Sequence, residues 1–208
     1  MKKIVCAAAL TAGFALAAPM AQAQSQNDWA GGYFGAFLGW GQLESEWSTG
    51  ILTSGNFDVD GALGGLYGGY NWQSGNMVYG VEAELGTTDM DSTSFAAPCG
   101  GTGCRTEVNN YATLRGRLGT ELGGGLLYGA LGVAWGDFQM TGGGNSVSDD
   151  STGWVAAVGY DLPLPNKWDL RTEISILDFD KLDFAPVPGL RVDADKFTSI
   201  KVGIAKRF

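Results

Sequence analysis

The sequence predicts an all-β fold, an eight-stranded antiparallel transmembrane barrel, and three observations carry that expectation. Apolar side chains alternate with glycine or polar ones along eight segments, the period-2 signature of a strand. The apolar set is large and the alternate set small or charged, which suits a wall with lipid outside and a narrow lumen inside. The connections alternate between long and short, as they do where tight turns face the periplasm and longer loops face outward.

The start of the chain sets the compartment. Lys2 and Lys3 precede an uncharged run from Ile4 to Ala18, Pro19 breaks it, and Ala21-Gln22-Ala23 supplies small residues for cleavage. This order reads as an export signal over residues 1–23, followed by one barrel domain over 24–208. The apolar run is shorter than the ~20 residues of a membrane anchor. Cys6 stands at its beginning, which argues against a lipoprotein. Removal of two lysines and no acid leaves 11 basic against 22 acidic residues, a net charge of −11. Nucleic-acid binding, which needs a basic face, is excluded as a class.

Eight segments follow in order. The first, Ala30 to Leu43, turns Phe34, Ala36, Leu38 and Trp40 outward and Gly31, Tyr33, Gly35, Phe37 and Gly39 inward. The second, Ala62 to Trp72, sends Leu66, Tyr70 and Trp72 out and Gly65, Tyr67, Gly69 and Asn71 in. The third puts Met77, Tyr79, Val81, Ala83 and Leu85 outside and Gly80, Glu82, Glu84 and Gly86 inside. In the fourth, Val108 to Leu118, Ala112, Leu114 and Leu118 face out and Thr113, Arg115 and Arg117 face in. The fifth, Leu127 to Asp137, has Leu131, Val133 and Trp135 outward and Ala130, Gly132 and Ala134 inward. The sixth, Gly153 to Asp161, presents Trp154, Ala156, Val158 and Tyr160 to lipid. The seventh, Trp168 to Leu177, presents Trp168, Leu170, Ile174 and Ile176 and hides Asp169, Arg171, Glu173 and Ser175. The eighth, Phe197 to Phe208, presents Ile200, Val202, Ile204 and Phe208 and encloses Ser199, Lys201, Gly203 and Arg207. Lys206 falls on the lipid face near the end, where its ammonium can snorkel to water.

The long connections span 44–61, 87–107, 138–152 and 178–196; the short ones span 73–76, 119–125 and 162–167. Trp40, Trp72, Trp135, Trp154 and Trp168 stand at strand ends, where interfacial aromatic belts belong. A soluble lipocalin-like barrel would reverse the two faces.

The stretches GYNWQ (69–73), YGVEAELG (79–86), TLRGRLG (113–119), LLYGALGVAWG (126–136) and IKVGIAKRF (200–208) together resemble the OmpA-like outer-membrane β-barrel family. The nearest type is its small immunogenic or "porin family" proteins. The resemblance covers nearly the whole of 24–208, in order. It implies an eight-stranded barrel in the outer membrane of a bacterium, with outer-membrane lipid and lipopolysaccharide around it. It also implies a terminal Phe208 read by the barrel-assembly machinery, a role in envelope integrity, and surface exposure toward an extracellular or host ligand. The cysteine pair and the acidic loops lie outside the family pattern.

Chemistry concentrates at three places. In the lumen, Glu82 and Glu84 neighbour Arg115 and Arg117, while Asp169, Arg171 and Glu173 have Lys201 beside them. Alternating signs on adjacent strands suit mutual neutralisation; they read either as a packed polar plug or as a charged permeation path. In the second long connection, PCGGTGC holds Cys99 and Cys104. An oxidising periplasm favours a disulfide, and two thiols alone do not complete a tetrahedral metal site. On the outer side, fifteen acids between Glu44 and Asp195 face only Arg105, Lys181, Arg191 and Lys196. These acids read as a solvated surface, or, at Asp178, Asp180 and Asp183, as a weak divalent-cation site. No other cofactor is expected. The chain has no histidine, the usual general base near neutral pH, so the expectation is a structural and surface-interaction barrel that is not an enzyme. A narrow small-solute channel is the alternative.

Overall fold

The computed structural model describes residues 28–48, 57–94, 104–142, 145–179, 182–183 and 191–208. The expected signal segment and Cys99 lie outside the described residues. Eight long strands make the wall: β1 (Gly31–Ser48), β2 (Phe57–Ser74), β3 (Met77–Ser94), β4 (Cys104–Leu122), β5 (Gly125–Gly142), β6 (Asn145–Leu164), β7 (Trp168–Phe179) and β8 (Arg191–Arg207). A two-residue strand, Leu182–Asp183, pairs with the start of β8. Each long strand pairs antiparallel with its chain neighbour, and β8 returns to β1 to close the sheet. Closure leaves no open edge in lipid, where an unpaired backbone group costs several kcal/mol.

The stagger of this closure sets the bore. From Tyr33 the ladder passes through Gly69, Glu82, Arg115, Gly132, Val155, Leu177 and Phe197 and returns to Leu43, ten residues along the starting strand. With a rise of about 3.3 Å and a strand spacing of about 4.8 Å, that stagger tilts eight strands by about 40° around a backbone cylinder of about 8 Å radius. Opposing long side chains meet across so narrow a bore.

The faces follow the alternation on every strand. Leu38 is 74% exposed and Leu131 69%, whereas their neighbours Phe37 and Ala130 are buried at 4% each. On β5, Leu131, Val133 and Trp135 face out while Ala130 and Ala134 are buried. The short turns close tightly: Gly75 (φ +59°) turns β2 into β3, and Gly123 and Gly124 (φ +62° and +87°) turn β4 into β5, in the left-handed region that glycine enters without a Cβ penalty. A single turn at Pro165–Lys167 joins β6 to β7.

The outer connections differ from the expectation. β1 and β2 stay paired to Ser45–Phe57, β3 and β4 to Ser94–Cys104, and β5 and β6 to Gly142–Asn145, so the expected 138–152 loop is mostly strand. The reason is physical. Polarity alternates only where one face meets lipid, but a ladder beyond the membrane needs only its N–H and C=O partners. Six of the seven residues from Asn145 to Ser151 are polar, and the period-2 signal vanishes although pairing continues. Register shifts at Leu43/Ser45, Thr87/Met90 and Val108/Asn110 mark the rim where the hairpins leave the wall.

Candidate functional site

Inward positions two residues apart bring a charged layer together in the lumen. Glu82 of β3 lies directly opposite Arg115 of β4, and Glu173 of β7 opposite Lys201 of β8. Arg115 stands at the centre. Its Nε donates to Glu82 Oε1 (2.8 Å), one terminal nitrogen to Glu173 Oε1 (2.9 Å), and the other to Glu173 Oε2 (2.8 Å) and Glu84 Oε2 (3.1 Å). Lys201 Nζ donates to Glu84 Oε1 (2.6 Å) and lies 3.0 Å from Glu173 Oε1. A second group abuts the first. Arg171 donates to Glu82 Oε2 (2.6 Å) and through Nε to Asp161 Oδ1 (2.8 Å); Arg117 donates to Asp161 Oδ2 (2.7 Å) and to the Tyr33 hydroxyl oxygen (2.9 Å).

Four cations thus meet four carboxylates, and every one of these side chains is at most 6% exposed. Desolvating such groups costs several kcal/mol each, which only close pairing and saturated hydrogen bonding offset. Tyrosines add to the pairing: Tyr33, Tyr111 and Tyr128 donate to Glu82 (2.6 Å), Glu84 (2.9 Å) and Glu173 (2.7 Å). Arg117 lies 3.9 Å over the Tyr128 ring and Arg171 4.2 Å over Tyr67, the geometry of cation–π contact. Gly132, opposite Arg115, has no space for a side chain, since a Cβ there would fall 2.1 Å from the Leu114 carbonyl oxygen and 2.7 Å from Arg115 Cβ.

Of the charged positions read from the sequence, Glu82, Glu84, Arg115, Arg117, Arg171, Glu173 and Lys201 meet in this layer, and Asp169 does not. Asp169 pairs with Arg207 Nε (2.7 Å) near the tight turns, away from Lys201. Sequence reasoning missed Asp161 and the tyrosine hydroxyls as partners. Asp161 shares the parity of Val155, Ala157 and Gly159, which face inward, and that signal was available. Lys206 reaches the Asn166 carbonyl oxygen at the turn and stands 5.5 Å over Trp168, so its charge leaves the wall at its end.

The outer surface carries two aromatic belts. Tyr70, Trp72 and Tyr79 form a continuous patch near the tight turns (ring centroids 5.0 and 5.9 Å apart) with Trp168 at the same end, while Trp40, Trp135 and Trp154 mark the other. The backbone N–H of Phe208 donates to the Gly32 carbonyl (2.9 Å), extending the β1–β8 seam by one bond. On the outer side, Asp178 lies opposite Trp154 and Asp183 opposite Arg191, while Asp180 lies outside the described residues. Cys104 begins β4 opposite Ser94, and its expected partner Cys99 is not among the described residues. Among the described residues no three acids, cysteines or histidines cluster as a metal site.

A closed eight-stranded barrel with an apolar, aromatic-belted exterior and a charged lumen defines the class of bacterial outer-membrane β-barrels. Residues 6–208 match the outer membrane protein beta-barrel domain, and the chain belongs to that family. It is 30% identical over 183 residues to a 22 kDa outer membrane protein of Rhizobium leguminosarum bv. viciae, covering 86% of this chain and 80% of the relative. It is 29% identical to a 31 kDa outer-membrane immunogenic protein of Brucella melitensis biotype 1, covering 92% and 88%. Among solved structures, the outer membrane protein OprG from Pseudomonas aeruginosa shares the fold, with a TM-score of 0.57 at 15% identity over 86% of this chain and 97% of that one. The protein is one of the bacterial outer membrane.

Proposed function

We propose that this chain is a non-catalytic structural barrel of the outer membrane that presents acidic outer hairpins to the surroundings and keeps its bore closed. The observation that carries this reading is the neutral layer of four cations and four carboxylates, none with appreciable exposure, across a bore of about 8 Å backbone radius. Side chains so fully engaged with one another offer no free general base, and the chain has no histidine to supply one. Outer-leaflet lipid and lipopolysaccharide fit the apolar wall, and the carboxylate-rich hairpins suit contact with cations or basic surfaces outside the cell. Phe208, 73% exposed at the closing seam, is suited to be read by the assembly machinery. A strain lacking the protein is expected to become sensitive to detergent and to leak periplasmic contents, with unchanged uptake of small hydrophilic solutes. An intact envelope with slowed uptake would overturn the reading.

The narrow-channel reading has one specific support. Tyr67 Oη, Asn71 Oδ1, Thr113 Oγ1, Arg117 Nε and Asp169 Oδ1 are buried without a protein hydrogen-bond partner among the described residues. Buried atoms of this kind bind ordered water, which a conducting file would need.

A further inference from the structure

The mouth of the lumen at the tight-turn end is crossed by the residues that precede β1. Trp29 lies outside any strand, at a place where chains are ordinarily frayed and solvated, yet it is only 1% exposed. Its side chain packs with Val78 of β3 and Leu126 of β5. Its backbone N–H donates to Gln73 Oε1 of β2 (2.8 Å), and its indole Nε1–H to Glu121 Oε1 of β4 (2.8 Å). The Arg207 guanidinium of β8 lies 4.6 Å over the indole, donates to the Asp28 carbonyl oxygen, and pairs with Asp169 of β7. One residue therefore gathers contacts from β2, β3, β4, β5 and β8, with its backbone N–H and its indole N–H both engaged.

We propose that Trp29 is a stopper held by a latch. It seals the periplasmic mouth below the charged layer and, through Arg207, ties the start of β1 to the end of β8, so releasing it admits water to the lower lumen while the wall stays folded. Tryptophan suits the task because it covers about 150–250 Å² and carries one donor for a fixed acceptor. The inference does not depend on the closed-bore reading, since a barrel that conducts would need the same stopper withdrawn.

The test uses the whole purified barrel in detergent with Cys99 and Cys104 replaced by serine. A Val78→Cys reporter beneath the indole is modified by a charged methanethiosulfonate, and an Ala134→Cys reporter beyond the charged layer serves as the comparison. Both parent side chains are buried, at 1% and 0% exposure. Adding Trp29→Ala is expected to speed modification at position 78 by about tenfold or more, as opening a local closure does, and to leave position 134 unchanged. A Gln73→Ala/Glu121→Ala variant keeps the indole and removes the acceptors of the Trp29 backbone N–H and of the indole N–H; it is expected to move position 78 the same way by a smaller factor. Unchanged rates at position 78 in both variants overturn the proposal. Equal acceleration at both reporters overturns it too, because the wall itself would then have loosened.

Discussion

β4 carries Leu114 and Leu118 on one face and Arg115 and Arg117 on the other, and the two faces answer to different partners. The leucines are 52% and 56% exposed toward a fluid solvent that accepts any apolar shape. The arginines are 2% and 4% exposed, and each is held by named carboxylates at hydrogen-bonding distance. The glycines divide the same way. Inward Gly132 has backbone within 2.1 Å of where a Cβ would stand, whereas for outward Gly116 the nearest atom is 3.9 Å away. One face of the wall is specified by its class of side chain, the other by its individual partners.

The largest break in this contrast is expected at Arg115. Arg115→Ala leaves Glu82, Glu84 and Glu173 facing one another with one cation fewer, so urea unfolding in lipid vesicles is predicted to show a loss of about 3–5 kcal/mol or no folded barrel. A loss below about 1 kcal/mol, the size of an exposed pair, would mean the layer is hydrated rather than sealed.

On the lipid face only a change of class should matter. Leu131→Arg, at a fully outward position, is predicted to cost about 2–4 kcal/mol in the same titration, while Leu131→Ile should be close to neutral. Equal effects of the two substitutions would show that packing, and not lipid, sets the outer face.

That difference explains what could be read from the sequence. Period-2 alternation fixes strand identity and face wherever lipid lies on one side, so Leu38, Leu131 and Ile200 identify the wall without any knowledge of neighbours. Glu82, Arg115 and Lys201 are visible as inward charges for the same reason. Their partners on adjacent strands, Glu82 and Glu84 for Arg115 and Glu173 for Lys201, are legible as well. The partners across the bore are not, because a narrow lumen brings together residues from strands that are not adjacent: Arg115 of β4 reaches Glu173 of β7, and Lys201 of β8 reaches Glu84 of β3. Strand order alone groups Asp169 with Lys201, but Asp169 stands lower on β7 and pairs with Arg207. Beyond the rim, nearly continuous polar sequence removes the signal that the paired hairpins would otherwise give.

Gly132→Ala is the next smaller effect, predicted at about 1–3 kcal/mol because a backbone oxygen must yield, against no measurable change for Gly116→Ala. Matching stabilities for the two variants would remove the distinction between inward and outward glycines. The most local effect is that of the proposed link between Cys99 and Cys104. Its short ring should confer local stiffness at the low end of about 2–4 kcal/mol, and denatured, unreduced protein should resist alkylation at both positions. Full alkylation without reductant would show free thiols.

The closed lumen is tested most directly by planar-bilayer recordings of the purified barrel beside its Arg115→Ala/Arg117→Ala variant. The neutral layer of ion pairs predicts no sustained conductance steps from the unmodified protein and steps, or failure to fold, once both arginines are gone. Sustained, reproducible channels in the unmodified protein would contradict it.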